Sequence, residues 1–423
     1  MEKLKNTSLQ SISLAKWRQF ENIDINFHPT LTIITGKNGS GKSTILYLLS
    51  KYFGWNLDFV SLPKKNKTKR IVEFLTGVWN PNELSSNSIV RNIGRVVFSN
   101  NKVSNLNLPD KTAGSFYNIT PNPVLQIKGL HIHSHRPIFK YEQIVNVPTT
   151  TPSRGQMYNE YSSQVLKRFL RGNQNNRTAF RSLKEKLISL AIFGEGNSTI
   201  ISDQVAKDTF FKFQEILKIV LPKKIGFQKI TITVPEVILQ TKSGDFAIDA
   251  VSGGLASLIH TAWQIFLYSE TEENFVVTYD EPENHLHPEL QKEIIPNLIK
   301  AFPNVQFIVV THNPLVISSV QDSFIYVFDY NANNRVVSKK IDNYEKSGSS
   351  NEILRQVLGM DSTMPKWAET KIETIIEKYL QQNLTTEKLN AFKDKISQQG
   401  LTDYLSESMD KLIDKAKEDD KVE

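Results

Sequence analysis

The chain contains no cysteine in its 423 residues. That excludes a disulfide framework, a cysteine-based zinc site and a cysteine nucleophile. It also lacks long apolar runs; none approaches the roughly 18 residues that a spanning helix needs. Met1-Glu2-Lys3-Leu4-Lys5-Asn6 runs on into polar sequence with no leader-like apolar stretch. A cytoplasmic protein without membrane contact is therefore expected. Sustained heptads are missing, so no coiled-coil rod is built from this chain. Nuclease patterns are missing too: there is no TOPRIM-like Asp-x-Asp, no HNH cluster and no restriction-type metal triad. Any nuclease is expected to be another chain. What remains is ordinary globular composition, 39% hydrophobic and 22% charged, with a net charge of +7 and room for two or three domains. The positive balance is compatible with DNA or RNA contact.

The most informative stretch runs from Leu31 to Ser50. Leu31–Thr35 is a β-branched run of the kind found in buried parallel strands. Gly36-Lys37-Asn38-Gly39-Ser40-Gly41-Lys42-Ser43 fits G-x-x-x-x-G-K-[ST], the Walker A phosphate loop. Thr44 to Ser50 then reads as a helix. Glycines let successive N–H groups face one anion, and the helix start adds further N–H groups and a positive dipole end. Residues 36–44 are thus the expected nucleotide contacts. Lys42 should reach the β- and γ-phosphates, and the Ser43 hydroxyl should bind Mg²⁺.

Around that stretch, Ser11 to Phe27 reads as two strands joined by a turn, in which Trp17 and Phe20 either fill the core or stack on a base. The basic run Pro63–Arg70 is a solvated loop or a contact for a phosphate backbone. Residues 71–127 read as an antiparallel sheet flanking the main one. In Leu130–Pro137, His131, His133 and His135 recur at period two and so share one face of a strand, where alternating histidines can hold a metal. Arg136, at that strand's end, is a candidate γ-phosphate or base-side contact; a structural turn fixed by Pro137 is the other reading. Residues 151–220 read as basic helices, either a subdomain that meets a partner or nucleic acid or a cover for the core.

Three more motifs follow. Lys229–Gln240 and Asp245–Ala250 read as a hairpin that delivers the chain to Val251-Ser252-Gly253-Gly254-Leu255 and a helix to about Tyr268. Phe275–Asp280 is an apolar strand ending in an acid, followed by Glu281: a Walker B pattern in which Asp280 holds Mg²⁺ and Glu281 orients and polarises the attacking water. Val305–Val310 is another buried strand, and His312 just beyond it is a candidate γ-phosphate sensor, because ligands of parallel sheets sit at that edge. From Ser347 on, the chain reads as charged amphipathic helices.

Gly36–Ser43, Ser252–Gly254, Asp280–Glu281 and His312 stand in one order. With Ser134–Pro137 they resemble the ABC/SMC/RecF-type AAA ATPases. Within these they are similar to bacterial proteins of the OLD, retron-associated and Septu types, many of which act in anti-phage defence. The resemblance covers about residues 10–320. It implies an α/β P-loop NTPase of ABC type: a mixed sheet flanked by helices, with an antiparallel β subdomain, a helical insertion and a helical C-terminal region. The implied divisions are 1–150, 151–225, 226–345 and 346–423. It further implies ATP and Mg²⁺, hydrolysis to ADP and phosphate, and catalytic roles for Glu281 and His312. A homodimer or higher oligomer would sandwich ATP through Ser252, Gly253 and Gly254, and a partner effector such as a nuclease would be controlled. A RecF-like DNA-repair ATPase is the alternative, and a transporter ATPase subunit a third class. The span between Lys42 and Ser252, filled by helices, argues against the last. Val-Ser-Gly-Gly-Leu departs from the Leu-Ser-Gly-Gly-Gln usual in transporters, and no clear Gln-loop glutamine is present.

Overall fold

The computed structural model describes residues 2–419 apart from 4–6, 56, 67–70, 80–88, 137–140, 150–151, 172–177, 270–273, 342–349, 361 and 381–384. Pro137 and the end of the basic run 63–70 therefore lie outside the described residues. The chain separates into two compact units, 1–347 and 348–423. The three N-terminal divisions expected from the sequence all fall within the first.

Eleven described strands form one sheet in the first unit. Its parallel block runs in the order 324–330, 31–36, 305–310, 275–280, 129–132. Strands Leu31–Gly36, Phe275–Asp280 and Val305–Val310 are buried at every position. Covered on both faces, they carry continuous apolar runs rather than alternation. The antiparallel block is 120–122, 103–109, 90–98, 9–17, 20–26. Strand Val336–Lys340 joins the two blocks, parallel to Phe20–Asn26 and antiparallel to Phe324–Tyr330. Here the sequence alternates, as in Leu9–Trp17, because one face meets the core. A smaller sheet, 62–66 with 71–75 and 111–112, flanks this block. Trp17 and Phe20 have no exposed surface, so both fill the core and neither is open to a base.

Helices close the faces. Gly253–Tyr268 is apolar all round and buried from Ala256 to Leu267, as expected of a helix enclosed on all sides. The insertion contributes Arg154–Arg171, Ala179–Glu195 and Gln204–Val220. The last is capped by Asp203, which accepts from the N–H groups of Val205 and Ala206. Its Phe213 packs edge-on to Trp263, centroids 4.7 Å apart. The insertion therefore packs on the buried helix Gly253–Tyr268. The expected single strand 229–240 is instead two, Phe227–Thr233 and Glu236–Thr241, because Val234-Pro235 turns the chain between them. Asp245–Ala250 yields only the two-residue strand Phe246–Ala247 and a 3₁₀ turn.

In the second unit, Lys366–Leu380, Thr386–Gln398 and Leu405–Asp419 each turn an apolar stripe inward. Ile372, Ile376, Phe392, Ile396 and Leu412 form its core.

Candidate functional site

The parallel strands end at Gly36, Asp280, Val310 and Ile132. The residues just past those ends gather at one sheet edge, the place where open α/β sheets bind ligands. Gly36 has φ +134°, and a Cβ there would stand 2.3 Å from the Phe328 carbonyl oxygen. Gly41 has φ +89°, and its Cβ would meet Gln19 Nε2 and Phe20 at 2.4 Å. Both positions therefore need glycine. Helix Lys42–Ser50 starts directly after Gly41 with no side-chain cap, which leaves its first N–H groups for an anion.

Lys42 is buried, and its Nζ donates to the carbonyls of Gly36 at 2.8 Å and Lys37 at 2.9 Å. Burial lowers its pKa, against the opposing pull of Asp280 and Glu281. Lys37, Asn38 and Gly39 are exposed, whereas Ser40 is buried. Thr44 N donates to the Gly41 carbonyl at 3.0 Å. Asp280 is 5% exposed, and burial pushes its carboxyl up to about 6, partly offset by the Ser43 hydroxyl beside it. Its Oδ1 is buried with no hydrogen-bond partner among the described residues.

Glu281 adopts φ +47°. Its N–H donates to the Val310 carbonyl at 2.8 Å, which fastens the turn to the next strand. One carboxylate oxygen accepts from Asn284 Nδ2 at 2.9 Å, and the other lies 3.5 Å from His312 Nδ1. Glu281 and His312, distant in sequence, are thus brought together. Arg136 is 6% exposed. Its Nη2 donates to the carbonyls of Glu281, Pro282 and Asn284 at 3.0–3.2 Å. Its Nε and Nη1 have no partner among the described residues.

Ser252 caps helix Gly253–Tyr268 by accepting from Leu255 N–H at 3.5 Å. Ser252 and Gly253 are exposed. Among the described residues, no hydrogen bond joins residues 252–254 to residues 36–44 of the same chain. Gly254 packs so closely that a Cβ would lie 2.9 Å from the His285 carbonyl oxygen. His131 is buried, with Nδ1 2.9 Å from Thr278 Oγ1, and its pKa is pushed well down by burial and by His133. Among the described residues no cluster of three metal-binding side chains exists; His131 packs against Tyr47 and Trp55, His133 against Trp55, and His135 is exposed beside Ser134.

Several site residues carry no motif signal. Glu283, buried, accepts from Thr311 Oγ1 at 2.6 Å, and burial raises its pKa. Asn313 N donates to that same hydroxyl. Gln19 Nε2 donates to the Gly39 carbonyl at 3.4 Å. Beside Gln19 opens a cleft of about 600 Å³ whose lining includes Arg18, Lys64, Gly77, Trp79 and Arg335. Arg335 lies 4.4 Å over the Trp79 ring. The cleft forms where residues 18–19, 60–64, 75–79 and Arg335 meet.

The family "AAA domain, putative AbiEii toxin, Type IV TA system" matches residues 31–318, and the P-loop containing region of an AAA domain matches residues 9–50. The retron Vc95 probable ATPase of Vibrio cholerae serotype O1 biovar El Tor is 24% identical over 76% of this chain and 73% of its own length. The Septu protein PtuA of Bacillus mycoides is 22% identical over 85% of this chain, which spans only 46% of that protein. Among solved structures, the SMC head domain from Thermotoga maritima covers 79% of this chain and 98% of its own at 14% identity, with a TM-score of 0.37. No described helix is long and apolar enough to cross a membrane.

Proposed function

From the premise that this chain belongs to the AAA domain family matched at residues 31–318, we propose that it is an ATPase whose nucleotide state closes it on a second copy and controls a partner effector. The observation that carries this reading is the meeting, at one sheet edge, of Lys42, a buried Asp280 beside Ser43, and a Glu281 held between Asn284 and His312.

In this reading Lys42 exchanges the Gly36 and Lys37 carbonyls for phosphate oxygens. Glu281, fixed at both oxygens, orients a water and takes its proton. His312 stands where a γ-phosphate would be sensed. Arg136 fixes the backbone that carries Glu281, and its charge favours a phosphate held beside that loop. Mg²⁺ fits Ser43 and Asp280: both are hard oxygen donors, and one buried carboxylate oxygen has no partner among the described residues. When bound, the ion would neutralise developing phosphate charge. The cleft beside Gln19 suits the nucleobase, with Trp79 as its platform.

The exposed Ser252–Gly254 turn lies at a helix start, where N–H groups suit the γ-phosphate held by another copy. Two ATP molecules would then be enclosed in a two-fold interface. Regions 151–225 and 346–423 are the parts left for an effector such as a nuclease. The relatives named as retron and Septu proteins support a role in anti-phage defence. Calorimetry and light scattering test the reading. Lys42→Ala should abolish ATP binding, and Glu281→Gln should bind ATP without turnover and double in mass. ATP affinity unchanged in Lys42→Ala would refute the site, and a Glu281→Gln mass independent of nucleotide would refute the sandwich.

A further inference from the structure

Helix Ala179–Glu195 of the insertion buries a lysine completely: the Lys184 side chain has no exposed surface. Its Nζ donates to the Glu142 carbonyl at 3.0 Å, to Glu236 Oε2 at 3.0 Å and to Asp249 Oδ2 at 2.7 Å. An ammonium has three hydrogens, and each has an acceptor here. The acceptors come from three separate stretches of chain. Glu236 opens strand Glu236–Thr241, Asp249 sits in the 3₁₀ turn Ile248–Ala250, and Glu142 follows the Arg136 loop. Glu142 is tied to the same helix a second time, accepting from Thr178 Oγ1, the helix N-cap.

The Asp249 link is the one that bears on the proposed site. Asp249 Oδ2 also accepts from Glu142 N–H at 3.2 Å, and the side chain is 3% exposed against 23% for Glu236. Only extended Val251 separates its turn from Ser252, the cap of helix Gly253–Tyr268. Water can replace a lost contact at Glu236 but cannot readily reach Asp249. A buried ion pair tolerates no partial separation, because either charge left alone is strongly disfavoured. Movement of the insertion helix must therefore carry Asp249 with it or break the junction outright.

We infer that Lys184 is a positioning residue through which the helical insertion sets the orientation of the Ser252–Gly254 turn. Its consequence for nucleotide-driven association rests on the function proposed above. The insertion is then an input element: a partner that shifts helix Ala179–Glu195 changes the turn without touching the nucleotide.

The test uses the full chain, with Asp249→Asn as the isosteric variant and Glu236→Gln as the control on the same lysine. In the nucleotide-free protein, Asp249→Asn should speed amide exchange at residues 250–256 by about tenfold and leave residues 42–50 unchanged. In the Glu281→Gln background it should weaken ATP-driven association about tenfold, while ATP affinity stays within about twofold. Glu236→Gln should leave both measures near the parent. If Asp249→Asn folds poorly, Lys184→Gln/Asp249→Asn, neutral on both sides, is read at the same residues. Unchanged exchange at 250–256, or an equal rise in Glu236→Gln, overturns the assignment. Failure of the Glu281→Gln parent to associate would sink the sandwich reading instead, while the exchange measurement still decides the role of Lys184.

Discussion

Asp280→Asn should make the nucleotide-free protein more stable and at the same time inactive. Burial pushes the Asp280 carboxyl from 3.8 to about 6. A tenfold change in proton affinity is worth ~1.4 kcal/mol, so keeping this group ionised at pH 7.5 costs the folded state about 3 kcal/mol. The folded pKa lies above the unfolded one. The fold therefore favours the protonated acid, and that preference stabilises fully below about pH 4 and is lost as pH rises through 6. Asparagine keeps the shape and can still accept from Ser43, but carries no charge. At pH 7.5 the variant should melt about 4 °C above the wild type. At pH 5 the gain should fall to about half, and below about pH 4 it should vanish. The assay is thermal unfolding of the apo protein across that range, repeated with millimolar Mg²⁺. The cation should raise the melting temperature of the wild type alone, and ATP turnover should be lost in the variant. A variant no more stable than wild type at pH 7.5, or a gain that grows as pH falls, would refute the reasoning.

Trp79→Ala should raise the Kd for ATP by about tenfold, the worth of one base stacked on an aromatic ring. Affinity for inorganic tripolyphosphate should stay as it was, and equal losses for both ligands in calorimetry would place the base elsewhere. Arg136→Met removes the guanidinium from the carbonyls of Glu281, Pro282 and Asn284. It should lower kcat by about a hundredfold, comparable to loss of one preorganised donor, while the Kd for ADP is unchanged. A normal kcat in single-turnover assays would show that the loop keeps its shape without Arg136.

The legible parts of the sequence were those where short-range rules suffice. Leu31–Ser50 announced itself because strand, glycine loop and helix are contiguous, and Phe275–Glu281 because a buried parallel strand must be apolar to its end. The cleft lined by Arg18, Trp79 and Arg335 gave no such signal, since its walls come from four separate stretches that only the fold brings together. Arg136 was legible as a charge at a strand end; its burial against backbone carbonyls is an environment that no local pattern encodes. The histidines at 131, 133 and 135 misled for a related reason: period two fixes a shared face, not what covers it. Here strand Gly129–Ile132 ends before His133, so only His131 lies in it; aromatic rings surround His131 and His133, and His135 is exposed. Lys184 read as one of the basic residues of helices 151–220, yet its charge is paired with Asp249 and Glu236 outside the insertion.

The close approach of Gly254 to the Walker B loop yields the most direct test of how hydrolysis and association are linked. Arg136 and Asn284 hold the loop from Glu281 to Asn284, and its next carbonyl, that of His285, faces Gly254. The loop that carries Glu281 thus reaches the second residue of helix Gly253–Tyr268. Gly254 is helical, so alanine suits its backbone and would even favour the helix by roughly 1 kcal/mol. The obstacle is the 2.9 Å approach of the new Cβ to the His285 oxygen, closer than carbon and oxygen tolerate, so helix start and loop must part by several tenths of an ångström. His285 already has φ +69°, so it has little freedom to yield. Gly254→Ala should keep ATP affinity within about twofold while ATP-driven association of the Glu281→Gln protein weakens by about tenfold or more, a loss of ~1.4 kcal/mol. Gly114→Ala, outside the turn, is the control: nothing lies within 4 Å of its Cβ, so association should be nearly unchanged. Equal behaviour of the two variants in light scattering would mean that the His285 contact transmits nothing.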